Sequence, residues 1–102
     1  MAGKVQIELP KVEIAEFCRR HHISKLALFG SVLRDDFRPE SDIDVLVEFE
    51  AGHVPGFEFI RMQEELSSLL GGRQVDLVTP KFLNRRIRDR VLESAELQYV
   101  QG

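Results

Sequence analysis

Apolar and polar side chains alternate along residues 41–49, and this alternation is the clearest structural signal in the chain. One side of the pattern is apolar and the other mostly polar: Ile43, Val45, Val47 and Phe49 against Asp42, Asp44, Leu46 and Glu48. A period of two is typical of a strand with one face on a core. We therefore predict a strand that begins at Ser41 and presents two carboxylates on its second face.

Three shorter apolar runs predict further strands. Leu26–Phe29 stops at a glycine, Gly30, which is typical of a buried strand that ends in a turn. Val75–Val78 predicts another strand, and Leu97–Val100 predicts a last short one.

Helical spacing of apolar residues predicts three longer helices, over residues 10–22, 59–70 and 80–95. A pair of glycines follows the second helix and ends it. The third helix has Thr79 as its candidate N-cap and Pro80 at its first position. Strands that alternate with helices predict an α/β (α+β) fold in which helices pack against a small sheet.

Size and composition limit the possibilities further. A chain of 102 residues with 43% hydrophobic side chains fits one domain, residues 1–102, with an ordinary core. The single cysteine, Cys18, excludes an internal disulfide and is predicted to fill the core. No apolar run approaches the roughly 18 residues that cross a bilayer, so we expect a soluble, cytoplasmic protein without a membrane partner. The net charge of −3 argues against general nucleic-acid binding, although residues 81–90 are locally basic.

The carboxylates of the alternating strand are the first candidates for chemistry. Asp42 and Asp44 lie two residues apart on one face, so their backbones are roughly 6–7 Å apart. Their side chains can converge on a pair of cations about 3.5–4 Å apart, the spacing of two-metal phosphoryl-transfer sites. Ligands that are all oxygen favour Mg²⁺ or Mn²⁺. Taken alone, the pair is also compatible with an ordinary solvated sheet face.

Asp76 interrupts an otherwise apolar strand. A carboxylate there is costly if it is buried without a partner, so a functional role is worth considering. If this strand lies beside the one that carries Asp42 and Asp44, the three carboxylates form a cluster. Asp76 would then bind a metal or take a proton from an acceptor as general base. The alternative is an aspartate that simply faces water.

The Gly30-Ser31 pair follows a strand and is predicted to open a short helix that extends to Asp35. Glycine allows close backbone approach, and helix N-termini favour phosphate. Arg34, one turn further on, can neutralise phosphate or pair with Asp35 or Asp36. A plain turn with an N-cap is the alternative for this segment.

The combined pattern is far more specific than its parts. A Gly30-Ser31 pair, ten residues, an Asp42-x-Asp44 strand and a later lone Asp76 resemble the DNA polymerase β-type nucleotidyltransferase superfamily. Within it, the short chain resembles the minimal nucleotidyltransferases. The resemblance implies that superfamily's fold, with a small mixed sheet. It also implies that the aspartates bind two Mg²⁺ and that the Gly-Ser pair holds the triphosphate.

The resemblance also implies a reaction and a partner. The expected reaction is transfer of AMP from ATP to an acceptor hydroxyl. Three carboxylates and a phosphate turn make up only part of an active site. The 102 residues suggest no second domain that would bind the acceptor. Members of the minimal family are paired with a HEPN-domain protein, as antitoxin and toxin, and some AMPylate a tyrosine of it.

Three other functions stay open from the residues alone. The protein could be an antitoxin that neutralises a partner by contact, without catalysis. It could be a nucleotidyltransferase that acts on a small molecule or, less in keeping with its acidity, on nucleic acid. It could also be an α/β domain with an acidic sheet face and no chemistry.

Overall fold

Four strands form one mixed sheet in the order β3-β2-β1-β4. The computed structural model describes residues 9–33, 38, 41–53 and 55–101, and its strands are β1 (Ile23–Phe29), β2 (Ile43–Phe49), β3 (Val75–Val78) and β4 (Glu96–Val100). Strand β1 pairs antiparallel with both β2 and β4, whereas β2 and β3 are parallel. The predicted fold, a small mixed sheet with helices packed against it, is confirmed.

The helices are α1 (Lys11–Arg20), α2 (Glu58–Leu69) and α3 (Arg85–Ser94). Helices α1 and α2 supply the core residues that pack on one face of the sheet. The central members of this core are Ile14, Phe17, Cys18, Leu26, Leu28, Ile43, Val45, Val47, Met62, Leu66, Val75 and Leu77. The odd-numbered apolar positions of β2 face this core, as the alternation predicts. None of the helices in the described part of the chain is long and apolar enough to cross a bilayer.

The predicted single helix over residues 80–95 is wrong. The chain forms a short 3₁₀ turn over Pro80–Phe82, and then Leu83 takes an extended conformation with φ −83° and ψ 138°. The helix proper begins only after Asn84, whose Oδ1 accepts a hydrogen bond from the backbone N–H of Arg86 at 2.9 Å. Asn84 was the sequence signal for this boundary, because asparagine is a strong N-cap residue.

Replacing Asn84 by Ala is expected to destabilise the protein by about 1 kcal/mol, because the first turn of α3 loses its side-chain acceptor. The measurement is urea unfolding. The matched variant Asn84→Asp keeps an acceptor oxygen at the same place and should remain close to the original stability. Equal stability of the two variants would contradict the capping role.

The boundaries of β3 agree with the prediction, those of α2 and β4 differ by one residue, and the starts of β1 and β2 differ by two or three. Strand β1 begins at Ile23 rather than Leu26, and β2 begins at Ile43 rather than Ser41. The first helix ends before His22, which has a left-handed φ of 57° and turns the chain into β1. Positive φ is uncommon for a residue with a side chain, so the apolar pattern alone could not place this turn.

Two titratable groups reflect the packing of α1. Burial raises the pKa of the Cys18 thiol to about 12, so it is a neutral core group, as predicted, and not a nucleophile. Burial alone would raise the pKa of Glu65 on α2, but hydrogen bonds from Arg20 and His21 outweigh it and lower that pKa. Glu65 therefore ties α1 to α2 most strongly above its ordinary pKa of 4.5, and the tie weakens as acid protonates the carboxylate.

Candidate active site

Three of the candidate residues, Gly30, Asp44 and Asp76, lie where the end of β1 meets the beginnings of β2 and β3. Asp44 stands opposite Phe29 of β1 on one side and opposite Asp76 of β3 on the other. Residues at the same register on neighbouring strands project from the same face of a sheet. Asp44 and Asp76 therefore share the face turned away from α1 and α2. The condition stated from the sequence, that the strand of Asp76 lies beside the strand of Asp44, is met.

Gly30 lies directly against one of these carboxylates. It has a φ of +77°, and a Cβ built on it would overlap Asp44 Oδ2 and come within 3.2 Å of Asp44 Cγ. The glycine therefore allows the Asp44 carboxylate to rest on the backbone of the turn after β1. This contact was not predicted, since it depends on the pairing of β1 with β2.

The turn after β1 is a 3₁₀ turn over Gly30–Leu33, where a short helix to Asp35 was predicted. Val32 within it is fully buried and anchors the turn in the core. Ser31 lies in this turn, and its assignment to the triphosphate stays a prediction. Arg34 lies outside the described residues, so its assignment stays a prediction too.

Asp42 lies just before β2, and both it and Asp76 are exposed, while Asp44 is half-buried. Among the residues that the structure describes, no three acidic, imidazole or thiol side chains are gathered closely enough to hold a metal ion. The assignment of Asp42, Asp44 and Asp76 as metal ligands therefore stays a prediction.

The residues present nevertheless fit a divalent cation. Asp44 and Asp76 supply hard oxygen ligands from adjacent strands, and the absent side chain at Gly30 leaves the room in which one of those carboxylates lies. Oxygen ligands of this kind suit Mg²⁺ better than zinc.

Two further groups of side chains are the arginines of α3 and a pair of histidines. Of the four arginines of α3, only Arg88 is half-buried, and its Nη2 donates to the Leu83 carbonyl at 3.4 Å. At the far end of β2, His53 stacks on His22 with ring centroids 3.9 Å apart. A cavity of about 530 Å³ opens at that far end, beside Phe49.

Comparison with known proteins places this geometry in a family. The model of the nucleotidyltransferase domain family matches residues 12–97. Protein adenylyltransferase MntA of Thermococcus cleftensis is 38% identical over 86 residues, which cover 83% of this chain and 82% of that protein.

Two solved structures share the fold. One, described as a "putative minimal nucleotidyltransferase", is 36% identical, with a TM-score of 0.69 over 83% of this chain and 85% of that chain. The other belongs to a complex of a tri-AMPylated HEPN toxin from Shewanella oneidensis with an MNT antitoxin. It is 22% identical, with a TM-score of 0.63 over 89% of this chain and 70% of that chain.

The family match and the arrangement of the strands agree. The family model spans most of the chain, and the turn after β1, Asp44 and Asp76 all lie within the matched residues. The chain therefore belongs to the nucleotidyltransferase family, with the small fold of the minimal nucleotidyltransferases, and it is a transferase.

Proposed function

We propose that the protein transfers AMP from ATP, with Mg²⁺, to a tyrosine hydroxyl of a HEPN-domain partner. The observation that carries the proposal is the register of Asp44 with Asp76, on an exposed sheet face beside the turn that begins at Gly30. A nucleotidyltransferase needs acidic ligands and a phosphate-binding turn next to each other, and the two carboxylates beside the turn at Gly30 support this assignment.

Each residue has a proposed role in this reaction. Asp42 and Asp44 hold two Mg²⁺, whose charge, when they are bound, neutralises the triphosphate and its leaving group. Backbone N–H groups of the turn at Gly30 and Ser31 bind phosphate oxygens, and the Arg34 guanidinium adds positive charge. Asp76, the third carboxylate, binds the metal nearest the acceptor or takes the acceptor's proton.

The bond changes follow directly. The acceptor oxygen forms a bond to the α-phosphorus, and the bond from that phosphorus to the oxygen bridging the β-phosphate breaks. Pyrophosphate leaves with the electron pair, and in the general-base role Asp76 receives the hydroxyl proton. Most of the rate enhancement then comes from positioning and from charge stabilisation.

The exposure of the site supports an acceptor on a second protein. Asp42 and Asp76 are both exposed, so a side chain from another molecule can reach them without a rearrangement of the core. The solved complex with a tri-AMPylated HEPN toxin gives an example of such an acceptor for a protein of the same fold.

The test is incubation of the protein with Mg²⁺, ATP and a HEPN-domain protein encoded beside it, followed by intact-mass spectrometry and peptide mapping. We expect mass increases in whole units of AMP on a tyrosine of the HEPN protein. ATP with a methylene between its β- and γ-phosphates should still support the transfer, whereas an α,β-methylene analogue should not. No AMP adduct in a mixture where the two proteins form a complex would refute the proposal.

A further inference from the structure

Two side chains of α2 form hydrogen bonds with the backbone that leads into and through β3. Gln63 Oε1 accepts from the Leu77 N–H at 3.1 Å, and Ser67 Oγ donates to the Arg73 carbonyl. Gln63 and Ser67 are four residues apart on the helix, so both lie on the same side of it. We call them the Gln63–Ser67 pair.

Strand β3 needs such support because it is short and lies at the edge of the sheet. It has four residues, and among the strands that the structure describes, β2 alone pairs with it. On the β2 side, the Gln74 carbonyl accepts from the Ile43 N–H at 2.8 Å. An edge strand leaves alternate backbone groups without a strand partner, and Gln63 bonds one of these, the N–H of Leu77.

Hydrogen bonds also fix the connection from α2 to β3. Gly71 and Gly72 have φ values of +80° and +82°. The Gly72 N–H donates to the Ser67 carbonyl at 2.9 Å and the Gly71 N–H to the Ser68 carbonyl at 3.3 Å, the two bonds of a Schellman motif. The chain therefore leaves α2 at a fixed point, and Ser67 also holds the first residue after the glycines.

We propose that the Gln63–Ser67 pair positions Asp76 for catalysis by fixing β3 along its own axis. The bond to Leu77 acts on the residue after Asp76, and the bond to Arg73 acts three residues before it. A slip of one residue would turn Asp76 to the core face, and a shift of about 1 Å is enough to slow a reaction markedly. The inference rests on the proposed transferase function.

The first test needs no activity. Hydrogen exchange, followed by NMR on the full chain, is measured at the amides of Leu77 and Ile43 in Gln63→Met, which keeps the length of the side chain but lacks the acceptor. We expect exchange about tenfold faster at both amides, since β3 opens more often. Gln63→Glu, which keeps an acceptor oxygen, should restore slow exchange. The exposed neighbour variant Glu64→Met should exchange as the original protein does.

The second test measures AMP transfer by the same variants, together with Ser67→Ala and its matched control Ser68→Ala. In Gln63→Met and Ser67→Ala, kcat should fall about tenfold or more and the Mg²⁺ concentration for half-maximal rate should rise. KM for ATP should stay unchanged, because the turn after β1 is not altered. Gln63→Glu and the two control variants should keep the original kcat.

Several outcomes would overturn the inference. Unchanged Leu77 exchange in Gln63→Met would show that the pair does not hold β3. Faster exchange with unchanged kcat would show that it does not position Asp76. An inactive original protein would instead refute the proposed function, and the exchange rates would still decide whether the Gln63–Ser67 pair holds the strand.

Discussion

Replacement of Asp44 by Asn should reduce AMP transfer by about a thousandfold and leave the fold intact. The change removes one of the two carboxylates that stand in register on β2 and β3, and a neutral amide is a poor ligand for Mg²⁺. The fold should be retained because Asn has nearly the size and shape of Asp. The measurements are initial rates by mass spectrometry and urea unfolding.

The matched control is Glu48→Gln, which also neutralises a carboxylate on the same face of β2, four residues further along. It should transfer AMP at the original rate. A variant of Asp44 that still transfers AMP would remove this residue from the site. If the Asp44→Asn protein neutralises its HEPN partner with undiminished strength, neutralisation works by contact and does not need catalysis.

Replacement of Gly30 by Ala should lower both stability and activity. The left-handed backbone and the overlap of the new methyl group with Asp44 Oδ2 should together cost about 2–3 kcal/mol in the free energy of unfolding. The Asp44 carboxylate must move to make room, so we expect a large loss of kcat as well. Urea unfolding and transfer rates measure the two effects.

The variant Gly52→Ala separates the cost of the left-handed backbone from the cost of the overlap with Asp44. Gly52 has nearly the same φ, +81°, but a Cβ there would meet nothing within 4 Å. This variant should lose about 1 kcal/mol through backbone strain alone and keep its activity. If Gly30→Ala were as active as Gly52→Ala, the close approach of the turn to Asp44 would have no role in catalysis.

The sequence was most informative where a simple period applied. The alternation in β2 correctly assigned Asp44 to the face away from the core, and the apolar run at Val75–Val78 gave the bounds of β3. The helix at 80–95 was predicted wrongly because Leu83, Ile87 and Val91 are spaced by four residues, as in a helix, whereas Leu83 is extended in the structure. Spacing alone does not detect such a break, whereas the cap residue Asn84 does.

The rest of the candidate site depends on tertiary structure. The residues themselves were predicted, but the register of Asp44 with Asp76 follows from strand pairing, which no local pattern encodes. The contact of Gly30 with Asp44 follows from the same pairing. Gln63 gave no signal at all, because a half-exposed glutamine on a helix is ordinary until its backbone partner on β3 is known.

The contact between Gly30 and Asp44 joins two tasks that many enzymes assign to separate parts. In the proposed reaction, the backbone that grips the nucleotide and the acid that recruits the cation touch each other. A displacement of the turn therefore also displaces the carboxylate, and the reverse holds as well. If the proposed roles hold, a substitution that changes nucleotide affinity at this corner would also change the affinity for magnesium.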